Sequence, residues 1–204
     1  VTPILDRVRA HLRDHFAGGW SEPDSASVTF LGTEPIEVLR FRRDGQDGRH
    51  ALVHYVSLGC SRHPMVDPTE IVVDPHRGPR AEVTLCLRNP GEVSGIARSL
   101  AVLAAAPAVD GLVLGPDALI DLGSPLWSSP SQRVPFTAVL LGPSDIAECP
   151  LEPPREPVRF LSATPITATE AAWVRLKGAE AMREAWRTDG VDVLDPDRHA
   201  AQPN

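Results

Sequence analysis

The sequence predicts an α+β protein, a single domain with a mixed, mostly antiparallel β-sheet flanked by α-helices, and three observations carry that prediction. Two nine-residue runs, His50–Leu58 and Arg80–Arg88, are dense in aliphatic and β-branched residues. The second alternates, with Ala81, Val83, Leu85 and Leu87 on one face and Glu82, Thr84, Cys86 and Arg88 on the other, the pattern of a half-buried strand. Helical periods stand before, between and after the strand-like runs. A chain of 204 residues suits one core that needs neither metal nor disulfide to be stable.

Taken in order, Thr2-Pro3 followed by Ile4, Leu5, Val8, Leu12 and Phe16 predicts an amphipathic helix, with Thr2 as cap and Gly18-Gly19 as stop. Ser27–Leu31 and Ile36–Phe41 read as strands joined by a short turn, and Asp44-Gly45 with Asp47-Gly48 supplies hairpin chemistry into the His50 run, so the sheet begins as an antiparallel meander. Residues 59–79 form a long loop punctuated by Pro64, Pro68, Pro75 and Pro79. Its length marks it as the leading candidate for a functional surface. A helix with apolar positions Val93, Ile96, Ala97, Leu100, Leu103 and Ala104 is expected to stop at Pro107. Residues 111–135 are rich in Gly, Pro and Ser around a short apolar piece, 118–122, and 136–141 and 158–164 are further strands. Thr167-Ala168-Thr169-Glu170 is a capping box opening a helix with Trp173, Leu176, Met182 and Trp186 that Gly178 can divide. From Thr188 the chain is polar, and its last residues are expected to fray.

Composition narrows the function. No run approaches the roughly 18 to 20 apolar residues of a membrane span, and the N-terminus lacks the pattern of a signal peptide. Three cysteines with no Cys-x-x-Cys fit reduced thiols, so the expected compartment is the cytoplasm. A net charge of −7 has the wrong sign for attracting phosphates. It excludes nucleic acid as an expected ligand and favours a basic protein partner. One lysine beside nineteen arginines and 21 prolines reads as the codon bias of a GC-rich bacterium.

No catalytic motif is present: the chain lacks a Walker loop, Gly-x-Gly-x-x-Gly, His-Glu-x-x-His and a nucleophile elbow around Ser61. His50 and His54, four apart on a strand, stand about 13 Å from each other, too far to share a metal ion. A mixed metal site from His54, Cys60, His63, His76 and Glu82 has no recognised spacing, and no cofactor or metal is expected. The alternative to a binding module is a thiol- or histidine-dependent hydrolase using Cys60 with His54 or His63, since a thiolate beside an imidazolium has a lowered pKa.

Several segments together resemble one family, the Suppressor of fused domain. They are His54–Ser61, Arg80–Leu85, Gly115 with Ser124-Pro125-Leu126, Phe136–Gly142, and Phe160 through Pro165-Ile166-Thr167 to Glu170. Residues 1–187 are identified as the Suppressor of fused-like domain and 188–204 as a polar C-terminal tail. The resemblance implies a single α+β domain that binds protein and is no enzyme. Bacterial members are associated with polymorphic toxin systems, where they are proposed as immunity proteins, so the resemblance implies an immunity protein or a sequestering scaffold whose partner is a protein such as a basic toxin domain. Pro64 stands where the animal peptide-binding surface has an aromatic residue.

The expected interface is the rim formed by residues 57–65 and the start of the Arg80 strand, with Ser57, Gly59, Ser61, Arg80 and Glu82 as binding residues and the Glu170 helix start nearby. Gly59 permits an unusual backbone turn there, the serines offer hydroxyls, and Glu82 on a polar strand face offers a carboxylate to an arginine or lysine.

Overall fold

A computed structural model describes residues 3–45 and 51–202. Thr2, the Asp47-Gly48 turn and His50 lie outside the described residues. The elements are α1 (Ile4–His15), β1 (Asp24–Val28), β2 (Ile36–Arg43), β3 (Leu52–Leu58), a 3-10 turn (Cys60–Arg62), β4 (Arg80–Arg88), α2 (Ile96–Asp110), β5 (Leu119–Asp121), β6 (Phe136–Pro143), β7 (Val158–Thr167), α3 (Ala168–Lys177) and α4 (Ala179–Thr188).

The described strands form one sheet in the order β1-β2-β3-β4-β7-β6-β5. The first four are the expected meander, with His54 opposite Cys86 and Tyr55 opposite Leu85. β7 then inserts beside β4 as the parallel pair, Arg80 aligned with Val158, because the chain crosses over through α2, β5 and β6 before returning. The sheet is thus mixed and mostly antiparallel.

The period of two sorts each strand between two cores. Val38, Tyr55, Val83, Leu85, Val139 and Leu161 pack with Ile96, Leu100 and Leu103 of α2. Their neighbours Leu39, Val56 and Phe160 face Val8, Leu12 and Phe16 of α1. Farther along that second face, Ala138, Leu140 and Ile166 meet α3 and α4 through Ala171 and Met182. Helices therefore cover both faces. This corrects the expectation of a half-buried Arg80 strand: residues 80–85 are buried on both sides, Glu82 included.

Three further differences have local causes. The first strand lies at 24–28, ahead of the expected 27–31, leaving Phe30 and Leu31 in the turn. α2 runs through Pro107 and ends at Gly111, which takes the left-handed conformation and donates its N–H to the Ala106 carbonyl. Proline near the last turn ends no helix when a glycine just beyond supplies the stop. The tail is docked: Leu194 O accepts from Arg88 N–H, and Arg198 and Ala201 are buried. The capping box at Thr167 and Glu170 and the break at Gly178 form as expected.

Candidate functional site: a clamped turn and its apolar rim

Glu82 sits on β4 with no measurable exposure and accepts four hydrogen bonds. Oε1 takes Gly59 N–H and Ser61 N–H, each at 2.9 Å, and the Ser61 hydroxyl at 2.6 Å, while Oε2 takes the Ser57 hydroxyl at 2.5 Å. Ser57 Oγ in turn accepts Val83 N–H at 2.9 Å. Two residues earlier on the same strand face, Arg80 Nη1 donates to the carbonyls of Ser61 (2.8 Å) and Arg62 (3.0 Å). One strand thus grips the 59–62 turn at both polarities, its carboxylate holding N–H groups and its guanidinium holding carbonyls.

The turn demands glycine at its start. Gly59 has φ +151°, and a Cβ there would stand 2.9 Å from Ile36 Cδ1 and 3.1 Å from the Pro35 carbonyl. Burial raises the Glu82 pKa, and the four donors pull against that rise without reversing it. Ser57, Gly59, Ser61, Arg80 and Glu82 are therefore brought together, but beneath the surface. Glu82 does not stand free for a partner cation: its acceptor sites are filled by neutral donors. Glu170 is not nearby. It lies past the end of the ten-residue β7, whose first residue is aligned with Arg80, so the two are about 30 Å apart at the strand rise.

Glu170 anchors a second buried network. Beyond its capping bonds with Thr167, it accepts from Trp186 Nε1 at 2.8 Å, from Arg198 Nη2 at 2.9 Å and Nη1 at 3.0 Å, and from Ala201 N–H at 3.3 Å. Burial pushes its pKa upward, yet the bonds from Arg198 and Trp186 outweigh it and hold the carboxyl below its ordinary value. Arg198 also stacks on Phe136 and Trp186. An arginine in a polar tail gives no sequence signal of such a role.

Above the clamped turn, Arg62, His63 and Met65 of the expected rim meet residues that sequence reasoning left unassigned, Glu34 and the end of α2. His63 Nε2 meets Glu34 Oε2 at 2.6 Å, and Arg62 reaches the same carboxylate at 3.6 Å. A cavity of about 290 Å³ opens between this group, Met65, and Ala104, Ala105 and Pro107 of α2. The base of the 59–79 loop is closed there by Met65 N–H to Pro79 O at 2.8 Å, and Pro68 packs on Gly111. Nine large apolar residues are exposed among the described residues: Leu31 in the turn before β2, Ile71, Val72 and Val73 in the 59–79 loop, Val102 and Val109 on α2, Leu112 and Val113 just after it, and Leu176 on α3.

The hydrolase constellation does not assemble. Burial, followed by the charge of Glu82, raises the Cys60 pKa well above that of a free thiol, the opposite of an activated nucleophile. Cys60 packs in the α2 core. His54 faces the other way, edge-on to Phe16 at 5.0 Å and to Trp20 at 5.9 Å. His63 points outward to Glu34. The mixed metal set is dispersed in the same way, and no three His, Cys, Asp or Glu among the described residues converge on a metal position.

The family model of the Suppressor of fused protein matches residues 32–199, most of the chain and every strand from β2 onward. The chain belongs to the Suppressor of fused family. Solved relatives confirm the fold. A Suppressor of fused homolog from Neisseria gonorrhoeae is 18% identical over 97% of this chain and 96% of its own, with TM-score 0.64. A chain of the Sufu–Fu complex is 17% identical over 98% of this chain and 92% of its own, with TM-score 0.71. Drosophila Suppressor of Fused is 17% identical with TM-score 0.70, this chain spanning 51% of its length. No curated protein matches by sequence. No helix among the described residues is long and apolar enough to cross a membrane.

Proposed function

We propose that this Suppressor of fused domain is a non-catalytic protein-binding module that acts by sequestration, as a cytoplasmic immunity protein masking a basic toxin partner in a bacterium. The observation that carries the reading is the cavity of about 290 Å³ between the clamped turn, the start of the 59–79 loop and α2, lined by Met65, Val66, Ala104, Ala105 and Pro107 with Arg62 and His63 beside them. A concave, mostly apolar lining with a few polar groups at its edge is where a binding site is first sought. Ser57, Gly59, Ser61, Arg80 and Glu82 serve that rim from beneath, by fixing the turn that presents Arg62 and His63. Glu170 serves it at a distance, through the stability of the domain. The excess of acidic residues, net −7, favours a basic partner. A relative solved in the Sufu–Fu complex supports protein binding as the mode of action.

The test is neutralisation. The product of the adjacent gene is expressed with and without this chain, and growth is read. Rescue by the native chain that is lost in Arg62→Glu and Leu31→Ser, but kept in Leu176→Ser on the far helix, supports the rim. Equal rescue by all of these variants removes it, and the absence of any toxic neighbour removes the immunity role.

A further inference from the structure

Within the long loop, Glu70-Ile71-Val72-Val73-Asp74 combines features that the fold does not use. Ile71 is 99% exposed, Val72 82% and Val73 51%. No hydrogen bond reaches the backbone N–H or carbonyl groups of these three residues among the described residues. Two local turns bracket the triplet: the Asp67 carboxylate accepts Thr69 N–H at 2.8 Å, and the Asp74 carboxylate accepts His76 N–H at 2.8 Å and Arg77 N–H at 3.1 Å. The loop base is held closed by the bond from Met65 to Pro79, so the triplet projects from a fixed stem.

Three consecutive β-branched residues favour a strand and disfavour a helix. Ile71 and Val72 form a bend here, yet with exposed side chains and unpartnered backbone groups the triplet offers what strand addition uses, free N–H and C=O groups for an open edge and alternate side chains for its pockets. Resting on the protein-binding reading above, we infer that residues 70–74 are a donor strand, which adds to an open sheet edge of a basic partner. Glu70 selects that edge, while Asp74, already paired with Arg77 at 3.9 Å, adds less. The Glu70 carboxylate has no hydrogen-bond or ion-pair partner among the described residues, and opposite charges facing across a strand pair stabilise it. The same acids argue against a second copy of this chain, because two Glu70–Asp74 segments repel and the open edge strand β1 begins with Asp24.

The experiment titrates the full chain with a synthetic β-hairpin whose free outer strand reads Lys-Val-Thr-Val-Lys, following amide exchange and chemical shifts residue by residue. Binding protects the amides of residues 71–73, weakens as salt rises, falls about tenfold or more in Val72→Pro, which removes one ladder donor, and is kept in Val72→Thr. Because Val72 N–H makes no bond in the domain, the proline variant folds, and its melting curve checks this. No saturable binding at millimolar hairpin, or binding unchanged in Val72→Pro, overturns the inference. Self-association of the free chain that Val72→Pro abolishes overturns it in favour of a second copy. A native partner lost in Arg62→Glu but retained in Val72→Pro leaves the rim reading standing and removes strand addition alone.

Discussion

Glu82 and Glu170 are both buried carboxylates with several donors each, yet they do opposite things for the domain. Glu82 is held by hydroxyls and N–H groups without a cation, so its charge is costly and its pKa rises. Its partners lie within the segment 57–61, next to it on the sheet, and it shapes a local turn. Glu170 is met by a guanidinium from 28 residues later, so its charge is compensated and its pKa falls. It closes a long loop and fixes the tail against α3 and α4. One carboxylate builds a surface, and the other secures the scaffold.

The scaffold carboxylate carries the largest expected effect. Arg198→Ala leaves Glu170 buried without its cation, and breaking such a pair costs about 3 to 5 kcal/mol. A drop of that size in the unfolding free energy from urea titration, with loss of amide protection from Trp186 to Ala201, is the expected result. A loss under about 1 kcal/mol would make the pair a bystander and erase the contrast with Glu82.

Next comes the clamp itself. Glu82→Ala orphans two buried hydroxyls and two buried N–H groups, a loss of about 3 kcal/mol or more. This replaces the expectation that Glu82 offers a carboxylate to a partner's arginine or lysine, because the buried site is already filled. Glu82→Gln keeps most acceptors and should cost about 1 kcal/mol. The two carboxylates also differ in the sign of their pH dependence. A raised pKa means that the Glu82 contribution is fully present below the ordinary value of 4.5 and is lost as pH rises through its folded value. A lowered pKa means that the Glu170 contribution is present above 4.5 and is lost as pH falls through its folded value. Stability against pH in Glu82→Gln should therefore lose the decline on the alkaline side, and in Glu170→Gln the decline on the acid side.

His54 is a third buried titrating group and separates burial from pairing. Burial lowers its pKa from 6.5 to about 4, Asp145 opposing this and His15 adding to it, and Nε2 has no hydrogen-bond partner among the described residues. The sign follows: the domain is at full strength above pH 6.5 and loses stability down to about pH 4, by about 3 kcal/mol. His54→Phe, among Phe16 and Trp20, should match the parent near pH 7 and exceed it near pH 4.5 in urea unfolding. Identical acid slopes would show that His54 is protonated without cost.

Much of the fold was legible because it rests on local chemistry. The alternation in Arg80–Arg88, the Thr167–Glu170 capping box and the break at Gly178 each declare their structure within a few residues, and the order of segments placed the chain in its family. What stayed hidden depends on contacts far apart in sequence. Period two put Glu82 on a polar face, but only the docking of α1 and the 59–62 turn over that face makes it interior. Arg198 is indistinguishable from a solvated tail arginine until Glu170 is placed 28 positions back. The set Ser57, Gly59, Ser61, Arg80 and Glu82 was legible as a cluster and misread as an exposed one, because strand pairing specifies neighbours more readily than burial.

The smallest stability effect tests whether the clamp and the surface above it are separable. His63 is 72% exposed in its side chain and meets Glu34, itself 57% exposed. The imidazole holds the Glu34 carboxyl below its ordinary pKa, but solvent screens a pair this open. His63→Ala should therefore move stability by no more than about 0.5 kcal/mol. Its effect belongs to binding instead: removing a rim group changes the rate of partner encounter and its salt dependence more than it changes folding. Chemical denaturation read beside association kinetics with the neutralised partner checks both halves. If His63→Ala unfolds the domain as readily as Glu82→Ala, the Glu34 contact belongs to the clamp, and surface and support are one unit. If it leaves both folding and association untouched, Arg62 and the apolar residues carry the rim without it.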